Sequence, residues 1–221
     1  MRHEANKPVR AVAYTTSEIG FIRCERKSLV AEFSVWQADI FEPLGWRIEA
    51  LEGEGIESGL QALSQKVVAP VTRHLFLQCG NGWTAYLDNG PHGTDFAAVA
   101  PQLVLRSGGH GIRMVCATGV PERLWPNFLQ TKSRYAALIF ESYPGGTDEA
   151  ERAIFSANDG GRWKHTAFGR VLEEEGGIIQ AIDAANPFTQ QAMECLLRKF
   201  GILAFEPSWY NESWTLVSKN R

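Results

Sequence analysis

The stretch from Arg73 to Ala117 most constrains what this chain can fold into. It holds two short apolar runs, Leu75-Phe76-Leu77 and Trp83-Thr84-Ala85-Tyr86-Leu87, joined by Cys79-Gly80-Asn81-Gly82. Asn and Gly tolerate the positive φ that tight hairpin turns require, so the two runs read as antiparallel neighbours. A polar loop follows, Asp88-Asn89-Gly90-Pro91-His92-Gly93-Thr94. Phe96, Val99 and Leu103 then recur at helical spacing, with Thr94 or Asp95 placed to cap the first turn. Pro101 lacks an amide hydrogen and crowds the preceding turn, so it predicts either a kink or a helix that starts close to it. The turn Ser107-Gly108-Gly109-His110-Gly111 leads into a buried strand, Ile112 to Ala117. A strand–strand–helix–strand unit of this kind belongs at the centre of a sheet.

The rest of the chain supplies further strands and a few helices. Val9 to Tyr14 and Gly20 to Cys24 read as short extended pieces. Leu29, Phe33, Trp36 and Ile40 predict a helix capped by Ser28 and ended near Phe41 by Pro43 and Gly45. Trp46 to Leu51 alternates as a half-buried strand, closed by a turn at Glu52-Gly53-Glu54-Gly55. Ile56, Leu60, Leu63 and Val67 form an amphipathic stripe that Pro70 closes. Pro121 to Asn127 reads as loop and Ser133 to Glu141 as strand. Glu151–Ala157 and Arg162–Phe168 flank Asn158-Asp159-Gly160-Gly161, a clear hairpin with Trp163, His165 and Ala167 on one face. Glu173-Glu174-Glu175 reads as a solvated acidic turn. Thr189 caps a helix with Met193, Leu196, Leu197 and Phe200 on its apolar face, and Gly201 terminates it. Ser213 to Ser218 is a final strand. The early alternation of strands and helices gives way to a hairpin and one late helix. The expected fold class is therefore α+β, a mixed, mainly antiparallel sheet with a few helices packed on it. One domain over 1–221 is expected, with two lobes near 1–120 and 121–221 as the alternative.

Composition bounds the function classes. The 221 residues are 44% hydrophobic and 21% charged, enough apolar material for a substantial core. Net charge is −3 and no basic patch stands out, which argues against nucleic acid as a partner. The N-terminal residues are polar and no apolar run is long enough to span a bilayer, so a cytoplasmic protein without a membrane partner is expected. Cys24, Cys79, Cys116 and Cys195 are widely spaced and sit in apolar contexts; they are expected to be reduced and buried, with no metal or cofactor to hold.

Chemistry-bearing residues concentrate in the two Gly-rich turns. Asp88, Asn89, His92 and Asp95, with His110, are the candidate binding residues; a carboxylate beside a histidine is the pattern of an acid/base pair or a metal site. Turn and helix-cap chemistry explains the same Asp, Asn, Gly and Pro residues without any ligand, leaving only His92 and His110 without a structural reason. No nucleophile elbow, zinc-binding histidine pair or phosphate-cradling loop is present, and catalytic residues are not assigned. His165 reads as a packed histidine. Trp125, Trp209 and Tyr210 lie in loop-like contexts and are the aromatic candidates for a protein interface, although such residues more often fill the core of an irregular domain.

Three segments together resemble a set of bacterial proteins that includes immunity proteins of polymorphic or contact-delivered toxins. They are Gly82-Trp83-Thr84-Ala85-Tyr86-Leu87-Asp88-Asn89-Gly90 with Gly93-Thr94-Asp95; Asn158-Asp159-Gly160-Gly161-Arg162-Trp163 with Phe168-Gly169; and Phe188-Thr189 leading to Phe200-Gly201-Ile202 and Phe205. The resemblance covers the last two-thirds of the chain and its motifs are structural. It implies a cytoplasmic α+β protein that binds and neutralises a cognate protein toxin. The alternative is a hydrolase or small-ligand-binding protein built on the Asp88–Asp95 loop.

Overall fold

The computed structural model describes residues 18–64, 72–89, 96–117, 135–159, 163–179, 182–183 and 187–220. Nine strands form one sheet: β1 (Glu18–Ile22), β2 (Arg47–Glu54), β3 (Arg73–Cys79), β4 (Thr84–Asp88), β5 (Gly111–Ala117), β6 (Tyr135–Tyr143), β7 (Arg152–Asp159), β8 (Trp163–Gly169) and β9 (Tyr210–Asn220). Their order is β2-β9-β3-β4-β1-β5-β6-β7-β8. All eight pairings are antiparallel. With helices α1 (Arg26–Phe41), α2 (Ile56–Ser64), α3 (Phe96–Ser107) and α4 (Gln190–Lys199), the protein is α+β. The sheet runs without a break from β5 to β6, so residues on either side of position 120 share it.

Both faces of the sheet are covered, which explains why β1 and β4 are buried at every position. On one face α1 and α3 bring Leu29, Phe33, Leu103 and Val104 onto Phe76, Tyr86 and Val217. On the other, α2 and α4 bring Leu60, Leu63, Met193, Leu196 and Leu197 onto Phe21, Leu75, Leu77, Ala85, Phe140 and Leu216. Each such large apolar side chain contributes roughly 1.5–3 kcal/mol on burial. The β3–β4 hairpin turns as its sequence requires: Asn81 has φ 58° and Gly82 φ 76°. Thr189 caps α4, its Oγ1 accepting the Ala192 N–H at 3.1 Å, and Gly201 leaves the helix at φ 74°.

Several expectations are corrected. α1 begins at Arg26 and carries no side-chain cap; Ser28 lies inside its first turn. α3 begins five residues before Pro101 and continues through it, so only the bond to the Ala97 carbonyl is forgone. β2 extends through the expected turn to Glu54 and is mostly exposed, because it is the last strand of the sheet. Gly53 belongs to the strand for a packing reason: a Cβ there would stand 2.1 Å from the Trp214 ring, which lies across Gly53 and Gly59. Cys79 is buried as expected, Cys24 and Cys116 are half-buried, and Cys195 is exposed; all four are free. The expected strand at Val9–Tyr14, the Thr94 or Asp95 cap and the loop at Pro121–Asn127 lie outside the described residues.

Candidate functional site

One end of the sheet gathers the polar side chains with functional geometry. β5 starts at Gly111, paired with Ile22 of β1 and Tyr143 of β6, so His110 stands just beyond the ends of three neighbouring strands. Glycines make that crowding possible. A Cβ on Gly109 would lie 2.5 Å from the Arg23 carbonyl oxygen, and one on Gly145 would lie 2.2 Å from that of Gly108. The Gly-rich turn is thus explained by backbone packed on backbone.

His110 Nε2 lies 2.8 Å from Ser142 Oγ, and Ser142 Oγ donates to Glu151 Oε1 at 3.1 Å. Arg170 holds the other Glu151 oxygen at 2.6 Å. A carboxylate only accepts, so the serine proton points to Glu151 and the serine lone pair receives the His110 Nε2–H. The imidazole is therefore oriented with its second nitrogen, Nδ1, as the free acceptor; among the described residues Nδ1 makes no hydrogen bond. Phe200 and Trp83 flank the ring at centroid distances of 5.4 and 6.1 Å. Burial lowers the His110 pKa, against the opposing pull of Glu151 and Glu174. The group is thus a neutral base near pH 7, able to accept a hydrogen bond or a proton at Nδ1. It is not half of a nucleophilic pair: Ser142 is 0% exposed, and Glu151 sits on the serine rather than on the far nitrogen of the ring.

Beside this cluster runs a second one that holds the chain together. Arg152 makes a two-pronged bond to Glu175, 2.8 Å from Nε and 2.7 Å from its terminal nitrogen, and Glu175 also accepts the Leu172 N–H at 2.9 Å. Glu175 is 1% exposed, which corrects the expected solvated acidic turn at its last residue, whereas Glu173 is exposed. On the opposite face Arg113 joins Glu18 to Glu141, and the Tyr143 hydroxyl donates to Glu141 at 2.6 Å. Burial and this bond to Glu141 both raise the Tyr143 pKa.

Among the described residues, the sequence candidates do not assemble into one site. Asp88 is buried at the far end of β4, across from β1 near Glu18, whereas His110 adjoins Ile22. Five residues of extended chain, roughly 17 Å, separate the two levels. Asn89 closes the ladder there: its Oδ1 accepts the Arg73 N–H at 2.7 Å. Trp209 and Tyr210, candidates for an interface, are interior, in line with the core-filling reading: Trp209 packs edge-on against Phe21, and the Tyr210 hydroxyl donates to the Ala204 carbonyl at 2.8 Å. The reason is that β9 inserts between β2 and β3 and carries these aromatics into the core with it. His92, Asp95 and Trp125 lie outside the described residues. His165 is packed as expected, bonded to Ser156 at 2.7 Å and stacked on Trp163.

Sequence reasoning missed Ser142, Glu151 and Arg170. One signal was present: Ser142 follows Leu138 and Phe140 on the same face of β6, so a serine there must find a partner. Among the described residues no helix is long and apolar enough to cross a membrane, and no group of three or more His, Cys, Asp or Glu is placed to hold a metal. The fold and this site define a three-layer α+β protein with a fully antiparallel sheet. Comparison with family models, with curated proteins and with solved structures finds no match to the chain.

Proposed function

We propose that this is a non-enzymatic, protein-binding protein of the bacterial cytoplasm, an immunity protein that binds and neutralises a cognate toxin. The observation that supports the reading is where the apolar surface lies. Leu44 (62% exposed) and Leu51 (58%) stand at the β2 edge; Phe168 (59%), Val171 (67%) and Trp163 stand at the β8 edge. Apolar side chains beside open strand edges are the usual ingredients of partner recognition. The resemblance to immunity proteins in the Gly82–Asp95, Asn158–Gly169 and Phe188–Phe205 segments points the same way. The test is co-expression with a toxin encoded beside it: a co-purifying complex and survival of the host are expected. No complex and no protection overturn the reading.

A second reading, a small-ligand or hydrolytic site, has one observation in its favour, the oriented Nδ1 of His110. Substrate turnover or ligand binding that disappears in His110→Gln, with the fold intact by circular dichroism, would establish it.

A further inference from the structure

The two edges of the sheet differ in charge. Residues 39–57, which span the end of α1, the turn, all of β2 and the start of α2, hold six carboxylates and one arginine. That is a net −5 in a chain whose total is −3, so the remainder carries +2. Asp39, Glu42, Glu49, Glu52, Glu54 and Glu57 are all exposed. Glu49, Glu52 and Glu54 lie on β2 itself, which pairs on one side only, in unbroken register from Arg47↔Asn220 to Glu54↔Ser213. Its outer row of N–H and C=O groups faces no strand among the described residues. β2 contains no proline, and its ladder with β9 has no bulge, two of the devices that block strand addition. Leu51 projects from the middle of this edge and Leu44 from the turn just before it.

We propose that the outer edge of β2 is a docking site for a basic, extended segment of a partner protein, which adds there as a tenth strand. The inference rests on the protein-binding reading and names the chemistry of the partner. Main-chain hydrogen bonds would supply the adhesion, Leu51 an apolar contact, and the glutamates the selection for lysine and arginine. The same glutamates disfavour a second β2 in that position, because two strands of net −2 (Arg47 against Glu49, Glu52 and Glu54) would meet. The sheet's other edge is the internal rival: residues 163–170 carry Lys164 and Arg170 and no carboxylate, so a second copy could offer β8 instead.

The test uses the full chain and a fluorescent ten-residue peptide of alternating lysine and valine. Anisotropy titrations compare it with a glutamate–valine peptide and with a lysine–valine peptide N-methylated at alternate residues, in low and physiological salt. The lysine peptide is expected to bind, and amide exchange to slow within residues 47–54. The combined variant Glu49→Lys, Glu52→Lys, Glu54→Lys is expected to weaken binding by about tenfold or more at low salt, where charge effects are least screened. N-methylation is expected to abolish it. No binding by the lysine peptide, undiminished binding to the triple variant, or undiminished binding of the N-methylated peptide each overturns the proposal. So does concentration-dependent self-association that the triple variant abolishes, since β8 of a second copy would then occupy the edge. The triple variant's own fold is checked by circular dichroism; Glu49→Gln, Glu54→Gln serves if the reversal does not fold. If the toxin is neutralised as well by the triple variant as by the wild type, the edge assignment fails and the protein-binding reading stands. If no toxin is neutralised but the peptide binds as described, the edge assignment stands without it.

Discussion

The interior of this sheet and its β2 edge use carboxylates in opposite ways. Inside, Glu175 is held by Arg152 and Glu18 by Arg113, which also reaches the half-buried Glu141. Each buried carboxylate has lost water and gained a cation, so its removal leaves a charge stranded. At the edge, Glu52 is the only glutamate of β2 within ion-pair distance of a cation among the described residues, 3.7 Å from Arg26, and its side chain remains 65% exposed. Water screens it, and its contribution to stability is small. Glu49 accepts a hydrogen bond from the Asn220 side chain at the surface; the same residue type therefore serves folding in one place and leaves an exposed, screened field in the other. The lesson is that charge on this protein can be read only after burial is known.

Four measurements would break or sharpen that contrast. Glu175→Ala should cost the most, about 3–5 kcal/mol by chemical denaturation, because the Arg152 guanidinium is then buried without its partner. A loss below about 1 kcal/mol would mean that water reaches Arg152 and that the pair is a surface feature after all. Gly53→Ala tests a place where edge and interior meet. Its Cβ would enter the space of the Trp214 ring, so a loss of about 1–3 kcal/mol is expected, with a changed tryptophan emission spectrum. Wild-type emission and stability would show that Trp214 moves aside freely.

The third concerns His74, whose ring is packed against Phe33 at 4.7 Å with Nδ1 bonded to the Tyr86 hydroxyl and Nε2 unpaired. Burial, with a smaller push from Lys219, lowers its pKa to about 3. The unfolded chain binds this proton near pH 6.5 and the folded chain only near 3, so stability is full above 6.5 and falls as pH drops through that interval. The expected slope is about 1.4 kcal/mol per pH unit in the middle of the window, and His74→Phe should remove it. An unchanged slope in the variant would locate the acid sensitivity elsewhere. The smallest effect is expected at the edge: Glu54→Gln should shift stability by no more than about 0.5 kcal/mol. A larger loss would assign Glu54 to the fold and weaken the case for a free edge.

Much of the fold could be read in the residues alone, for local reasons. Asn81-Gly82 reverses the chain because these two residues accept positive φ, and Thr189 starts α4 because its hydroxyl reaches the free amide of Ala192. The hairpin around Asn158–Gly161 followed from alternation on both sides of a turn sequence. The candidate site was legible in one residue of its four. His110 stood out in a Gly-rich turn, whereas Ser142, Glu151 and Arg170 come from strand ends and a loop that only the β5–β6–β7–β8 pairing brings together. Likewise the acidic run at 173–175 gave no hint that its last member faces inward, since the arginine that draws it there lies more than twenty positions earlier.

Local physics, then, determined the helices, the hairpins and the α+β class, because capping, turn geometry and hydrophobic period are properties of neighbouring residues. Tertiary structure alone decided that β9 inserts between β2 and β3, that Trp209 and Tyr210 go inside, and that β2 is left at an open edge. Strand order depends on pairings between residues far apart in the chain, and no local preference encodes which strand will be the last.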